Sequence, residues 1–184
     1  PEGALISAKE FLHLGSRAAV DQALKRLRER KELMRLGRGV YVRPIKTRFG
    51  TRAPAAEKVV ERLAATRAET IAHHGAAAAN ALGLTTQVPT KLVYLTSGRT
   101  RRLKLGAQVV EMKHAPQWML LPSQPVAGEA IRALAWLGKG RAGEALTALK
   151  SKLPTATLEE LVALRPALPS WMSKSISQAL VSHG

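Results

Sequence analysis

At 184 residues and 46% apolar composition, the chain has material for one large domain or two small ones, which excludes a disordered basic tail. Twenty-nine Lys/Arg against 13 Asp/Glu give a net charge of +16, a field that draws polyanions without naming one. The absence of cysteine excludes disulfides and thiolate metal sites, and with no signal peptide or long apolar run the expected location is the cytoplasm, on the nucleoid.

The charge is concentrated at the start. Residues 1–52 carry 13 Lys/Arg and 5 Asp/Glu, a net +8, and the same +8 is spread over the much longer remainder. In chain order, Ser7 with Glu10 forms an S-x-x-E capping box for a short helix whose buried side is expected to be Phe11, Leu12 and Leu14. Lys9 near its start is placed to touch a phosphate. Ser16 caps a second helix, along which Val20, Ala23, Leu24 and Leu27 recur at helical spacing as the apolar face. Ala18, Gln22, Lys25 and Glu29 lie opposite, flanked by Arg17, Asp21, Arg26 and Arg28. The period then changes. Leu33–Leu36 and Val40–Arg43 are short apolar runs around Gly37-Arg38-Gly39, a hairpin closed by Pro44.

A helix with a basic outer face followed at once by an arginine-tipped hairpin reads as the recognition helix and wing of a winged helix-turn-helix. A major groove admits such a helix, and its side chains reach base edges while flanking cations hold phosphates. Arg17 and Gln22 suit bidentate contacts to guanine and adenine, and Ala18 leaves room for close approach. Lys25, Arg26 and Arg28 suit phosphates, and Arg38 the minor groove or the backbone.

Residues 45–54, IKTRFGTRAP, read equally as a linker or as an ordered loop packed on the wing. Helix is expected over 54–66, with Val59, Val60, Leu63 and Ala64 on one side. His73-His74-Gly75 leads into a buried alanine-rich helix ending near Gly83, and the adjacent histidines suit capping and packing better than metal. Strands are expected over 90–96 and 107–113 as an antiparallel hairpin, with 118–121 as a third. The intervening turn carries Arg99, Arg101, Arg102 and Lys104, and two readings stay open for it: a solvated loop or a second phosphate contact. Helices are expected over 129–137, over 144–153, after a T-x-x-E cap at Thr157 with Glu160, and from Pro169-Ser170 on. The three tryptophans read as core anchors.

Glu111-Met112-Lys113 matches the E-x-K half of a nuclease metal site, but that site also needs an acidic partner. The single aspartate, Asp21, lies on the basic helix, and Glu69 is a poor substitute. Alternating Val109, Glu111 and Lys113 more simply mark the solvent face of a strand. No catalytic constellation, metal site or cofactor motif is present, so no enzyme is expected.

GSRAAVDQALKRLRERKELMRLGRGVYVRP resembles the winged helix of the AbiEi-like antitoxin family of type IV toxin–antitoxin systems. The resemblance continues through TIAHHGAAAANALGLTTQVPTKLVYLTSG, RRLKLG (Arg101 to Gly106) and VVEMKHAP, and fades over the C-terminal helices. It implies a repressor that binds double-stranded DNA at its own promoter and counters a nucleotidyltransferase-like toxin encoded beside it, with a homodimer on DNA and no membrane partner. Carried over by position, the DNA contacts fall on Ser16, Arg17, Gln22, Lys25, Arg26 and Arg38. The family's winged helix usually opens with a helix for which this sequence holds no residues. The expected fold is therefore α+β: a winged helix-turn-helix over 1–48, then a mixed α/β antitoxin-like domain over 53–184 with an antiparallel hairpin and a helical C-terminal part. The rivals are an RNA-binding protein using the same basic surface and a metal-dependent nuclease using Glu111.

Overall fold

Local capping chemistry sets the first elements of the computed structural model, which describes residues 3–120 and 125–181. Ser7 ends strand β1 (Leu5–Ser7) and accepts the Lys9 N–H at 3.4 Å, while the Glu10 carboxylate reaches back to the Ser7 N–H. The expected capping box is therefore present. It opens a single 3₁₀ turn, Ala8–Phe11, rather than a longer helix. Ala8 is the residue this turn buries; Leu12 and Leu14, expected inside, are 43% and 72% exposed. One turn is too short to aim four apolar side chains at one core. Leu14 instead lines an apolar groove of about 570 Å³ with Phe11, Ala23 and Leu27.

Ser16 accepts the Ala19 N–H at 3.3 Å and starts α1 (Arg17–Glu29). Val20 and Leu24 are buried with Ala8, Leu33 and Tyr41, and Leu27 packs against them, whereas Ala23 stays exposed. Strands β2 (Met34–Gly37) and β3 (Val40–Val42) follow around the turn Arg38-Gly39, where Gly39 takes φ +67°. β1 completes an antiparallel sheet of order β1-β3-β2, with Leu5 opposite Val42, Met34 also opposite Val42, and a bulge between Arg35 and Gly37.

The next elements are β4 (Ile45–Thr47) and β5 (Gly50–Arg52), an antiparallel pair, then α2 (Ala56–Arg67), β6 (Ile71–His73) and α3 (Gly75–Ala81). Residues 45–52 are thus a mostly exposed hairpin paired with itself, rather than an irregular linker or loop. Val59, Val60, Leu63 and Ala64 of α2 are buried as a set, as its spacing predicts. Three strands follow: β7 (Leu92–Thr96), β8 (Arg101–Leu105) and β9 (Gln108–His114). The arginine-rich run expected as a turn is strand β8, paired antiparallel with β9 so that Arg102 faces Glu111. Alternation explains the correction, because Leu103 and Leu105 are buried while Arg102 and Lys104 point to solvent. Trp118, expected in a further strand, lies in the 3₁₀ turn Gln117–Met119, and the end of that expected strand falls outside the described residues.

The C-terminal helices are α4 (Pro125–Leu137), α5 (Lys139–Lys152), α6 (Thr155–Ala163) and α7 (Ser170–Ile176). Thr157 is not a cap. It sits inside α6, buried, and Pro154 holds the cap position without a side-chain bond. The fold is therefore α+β, with several antiparallel sheets and a helical C-terminal part. Among the described residues no helix is long and apolar enough to cross a membrane.

The chain divides into two units. One takes the chain up to Ile71 together with Gly98–Lys113; the other takes Ala72–Ser97 and the chain from His114 on. This differs from a boundary at 48–53, because α2 and the β8–β9 hairpin belong with the first forty residues. Gly106 in the β8–β9 turn lies within reach of Met34 and Ala53.

The second unit packs Ile131, Leu134, Leu146, Leu149, Leu161, Met172 and Ile176 into one core, with Trp118 and Trp171 half-buried at its rim. His74 accepts the Ala76 N–H through Nδ1 at 3.3 Å and caps α3, and the His73 ring lies 5.7 Å from that of Tyr94, tilted by 49°. Ala78 and Ala79 of α3 are buried as expected. At Gly75 the backbone of α3 lies close against α4. A Cβ there would collide with the Arg132 carbonyl and stand 2.6 Å from the Trp136 Cβ. Gly75→Ala is expected to cost about 2–3 kcal/mol through this overpacking, read as a lower midpoint in urea unfolding; an unchanged midpoint would mean the helices separate freely. Arg132 itself is buried, and burial holds its guanidinium below the usual arginine pKa while the Glu129 carboxylate opposes that shift.

Candidate nucleic-acid interface

α1 is followed by the β2–β3 hairpin, and together with β1, the 3₁₀ turn and the end of α2 they line a groove of about 1210 Å³ within the first unit. Lys9, Arg17, Lys25, Arg28, Arg35, Arg38 and Arg67 line it, with Glu10 and Asp21 as the acids. Both carboxylates are already engaged inside the protein, Glu10 by the Ser7 N–H and Asp21 by Arg17. A concave surface with a clear excess of one charge focuses its field outward, and here seven cations stand against two acids.

Arg17 is held in place. Its Nε donates to Asp21 Oδ2 at 2.9 Å, one helical turn away, and both side chains remain about half exposed. Its Nη2 reaches the hairpin turn, lying 3.7 Å from where a Gly39 Cβ would stand. The ion pair thus steers the guanidinium from the start of α1 toward the tip that carries Arg38. Such an exposed pair adds little stability, and its consequence is orientation.

The predicted contacts separate into two sets. Lys9, Arg17, Lys25, Arg28 and Arg38 meet in the groove. Ala18, Gln22 and Arg26 are exposed on α1 but outside it, on the neighbouring stripe of the helix. Ser16 spends its hydroxyl on the helix cap. Lys25 also lies 4.0 Å from Glu29.

Arg35 and Arg67 join the groove in addition to the cations that the sequence pattern singles out. Arg35 occupies an exposed position between half-buried Met34 and buried Leu36, a period-2 signal that points it outward. Arg67 ends α2, far along the chain, and no local pattern announces its arrival beside α1.

The arginine-rich strand is organised differently. Arg101 makes a two-pronged bond to Glu69 at 3.0 and 2.5 Å, with both side chains largely buried. Arg102, 76% exposed, pairs with Glu111 at 3.1 Å, and Lys113 stands 4.0 Å from the same carboxylate. Arg99 and Lys104 are exposed. Glu111 and Lys113 therefore stand in a cross-strand charge cluster with Arg102, and among the described residues no group of three His, Cys, Asp or Glu could hold a metal ion.

The model of a family of unknown function, DUF6088, matches residues 1–157 of the 184. The chain belongs to DUF6088. No curated protein matches it. In this DUF6088 chain the matched stretch contains every residue of the basic groove and all of the arginine-rich strand.

Proposed function

We propose that this DUF6088 protein is a sequence-specific DNA-binding regulator of antitoxin type, whose first unit works as a winged helix-turn-helix. The observation that carries the reading is the groove between α1 and the β2–β3 hairpin, which gathers seven cations from four separate stretches of chain around two engaged acids. The 3₁₀ turn at Ala8–Phe11 takes the place of the positioning helix, α1 that of the recognition helix, and the hairpin that of the wing.

In this reading the outward stripe of α1, with Ala18 and Gln22, enters the major groove, and Arg17 reads a guanine from the position Asp21 sets. Lys25, Arg26, Arg28 and Lys9 neutralise phosphates, and Arg38 at the wing tip reaches the adjacent minor groove. Two copies on a palindromic site would match a repressor acting at its own promoter. The antitoxin role rests on the resemblance to AbiEi-like proteins, and its partner would be the nucleotidyltransferase-like toxin encoded beside it.

The test is binding to the upstream DNA of its own operon against a scrambled duplex across a salt series. A specific excess of about a thousandfold at physiological salt is the expected result. Equal and steeply salt-dependent binding to both duplexes would mean that charge acts alone, and would defeat the regulator reading.

A further inference from the structure

The β4–β5 hairpin presents an aromatic ring where none is needed for folding. Its two-residue turn is Arg48-Phe49, and Phe49 is 86% exposed. The turn is fixed by its own side chains: the Thr47 hydroxyl donates to the Gly50 carbonyl at 2.8 Å and accepts the Phe49 N–H at 3.3 Å. The Arg48 guanidinium lies 4.6 Å from the ring centroid, covering one face by a cation–π contact. From Arg43 through Ala56 there are four cations, Arg43, Lys46, Arg48 and Arg52, and no acid. The hairpin leaves the end of β3, and Lys46 lines a small cleft with Glu32, Arg43 and Pro44 just beyond the C-terminal end of α1.

A held aromatic ring with one face covered by a cation and the other open matches the flat face of a nucleobase, and its flanking cations match the phosphates on either side. The surroundings argue against a bilayer, since the ring's neighbours are threonine, glycine and arginine, and interfacial insertion needs a broad apolar face. Uniform positive charge argues against a basic or neutral protein surface.

We propose that Phe49 is a stacking platform for an unstacked nucleobase, with Arg48 and Arg52 taking the adjacent phosphates. The proposal rests on the reading of this unit as a nucleic-acid-binding module and adds a second contact to it. The base comes either from an unpaired or single-stranded position, or from a duplex step that the ring wedges open.

The experiment uses the full chain as wild type, Phe49→Ala and Phe49→Trp. Phe49 packs into no core, so all three are expected to share one fold, which circular dichroism checks. Each is titrated against three oligonucleotides carrying 2-aminopurine at one site: an intact duplex, the same duplex with that base bulged out, and a single strand. Wild type is expected to change the 2-aminopurine emission on binding, and Phe49→Ala to lose that response and about tenfold in affinity wherever the base is open. Phe49→Trp is expected to retain both. A response on the bulge or single strand identifies an unpaired base as the source; a rise in emission in the intact duplex identifies a wedge. Phe49→Ala matching wild type on all three, in affinity and emission, overturns the platform while leaving the DNA-binding reading standing. Wild type that binds none of the three overturns both. Loss of binding to phosphatidylserine-containing vesicles in Phe49→Ala, with oligonucleotide binding unchanged, overturns it in favour of a membrane contact.

Discussion

Glu69→Ala is expected to lower the stability of the protein by about 3–5 kcal/mol. Arg101 donates both ends of its guanidinium fork to the Glu69 carboxylate, at 3.0 and 2.5 Å, with side chains only 16% and 13% exposed. Among the described residues its Nε has no hydrogen-bond partner, so Glu69 is the main compensation for a charge held out of water. Arg101 Nη1 also reaches the Arg99 carbonyl at 3.3 Å, a bond that a neutral acceptor cannot strengthen enough to replace the carboxylate. The Glu69 carboxylate further occupies the space above Gly98, where any Cβ would collide with it. Removing the acid leaves an unpaired buried guanidinium and a void together. Urea unfolding would show this as a lower midpoint with an unchanged slope. The double change Glu69→Leu with Arg101→Met should recover most of the stability, because a buried pair breaks even against apolar residues of similar volume while half a pair does not. A cost below about 1 kcal/mol in Glu69→Ala would show that water reaches the pair and that Arg101 is in effect a surface arginine.

That ion pair also marks where reading the sequence stops. Ser7 with Glu10, and Ser16 with the start of α1, were legible because a cap is made within three residues and its chemistry is written beside it. The buried face of α2 was legible for a similar reason, since four apolar residues at helical spacing leave one way to face a core. Strand β8 was obscured by its charges: RRLKL reads as a basic turn unless Leu103 and Leu105 are seen to alternate with the cations. The β4–β5 hairpin gave no alternation at all, because neither strand has a buried residue and only Ile45 is half-buried. Its order comes from the Thr47 side chain and from pairing, which hydropathy does not record. Contacts such as Glu69 with Arg101, or Arg67 in the groove beside α1, join residues tens of positions apart. They depend on the packing of α2 and β8 against the first elements, for which no short-range signal exists.

The candidate site divides along the same line. The helix-plus-hairpin pattern was visible as a local succession, and five of the cations it suggested do converge in one groove. What the sequence could not supply was the sense of each side chain. Helical spacing put Arg17 on the flank of α1, but the Asp21 pair and the Gly39 turn direct it into the groove, away from the stripe of Ala18, Gln22 and Arg26. Under the proposed function, base readout by Arg17, Ala18 and Gln22 is separable by mutation from phosphate binding by the other cations of the groove.

Under the proposed function, the variant carrying Lys9→Gln, Arg28→Gln, Arg35→Gln and Arg38→Gln should bind about a thousandfold more weakly at physiological salt, equally for the operator and for a scrambled duplex. The reasoning is electrostatic. Each phosphate neutralised releases condensed counterion, so removing one such cation flattens the log–log salt slope by about 0.9, and removing four flattens it by about 3.6. All four side chains line the groove and all are exposed, so the fold should survive their replacement. Arg35 donates to the Gly37 carbonyl at 3.2 Å, and a glutamine amide can still offer a donor there. Because Arg17, Gln22 and Ala18 are untouched, the ratio of specific to non-specific binding should hold even as both constants fall. The measurement is a fluorescence anisotropy titration of both duplexes at four or more salt concentrations. An unchanged slope would place the phosphate contacts elsewhere on the molecule. A collapse of the specificity ratio would mean instead that Lys9, Arg28, Arg35 or Arg38 takes part in reading sequence.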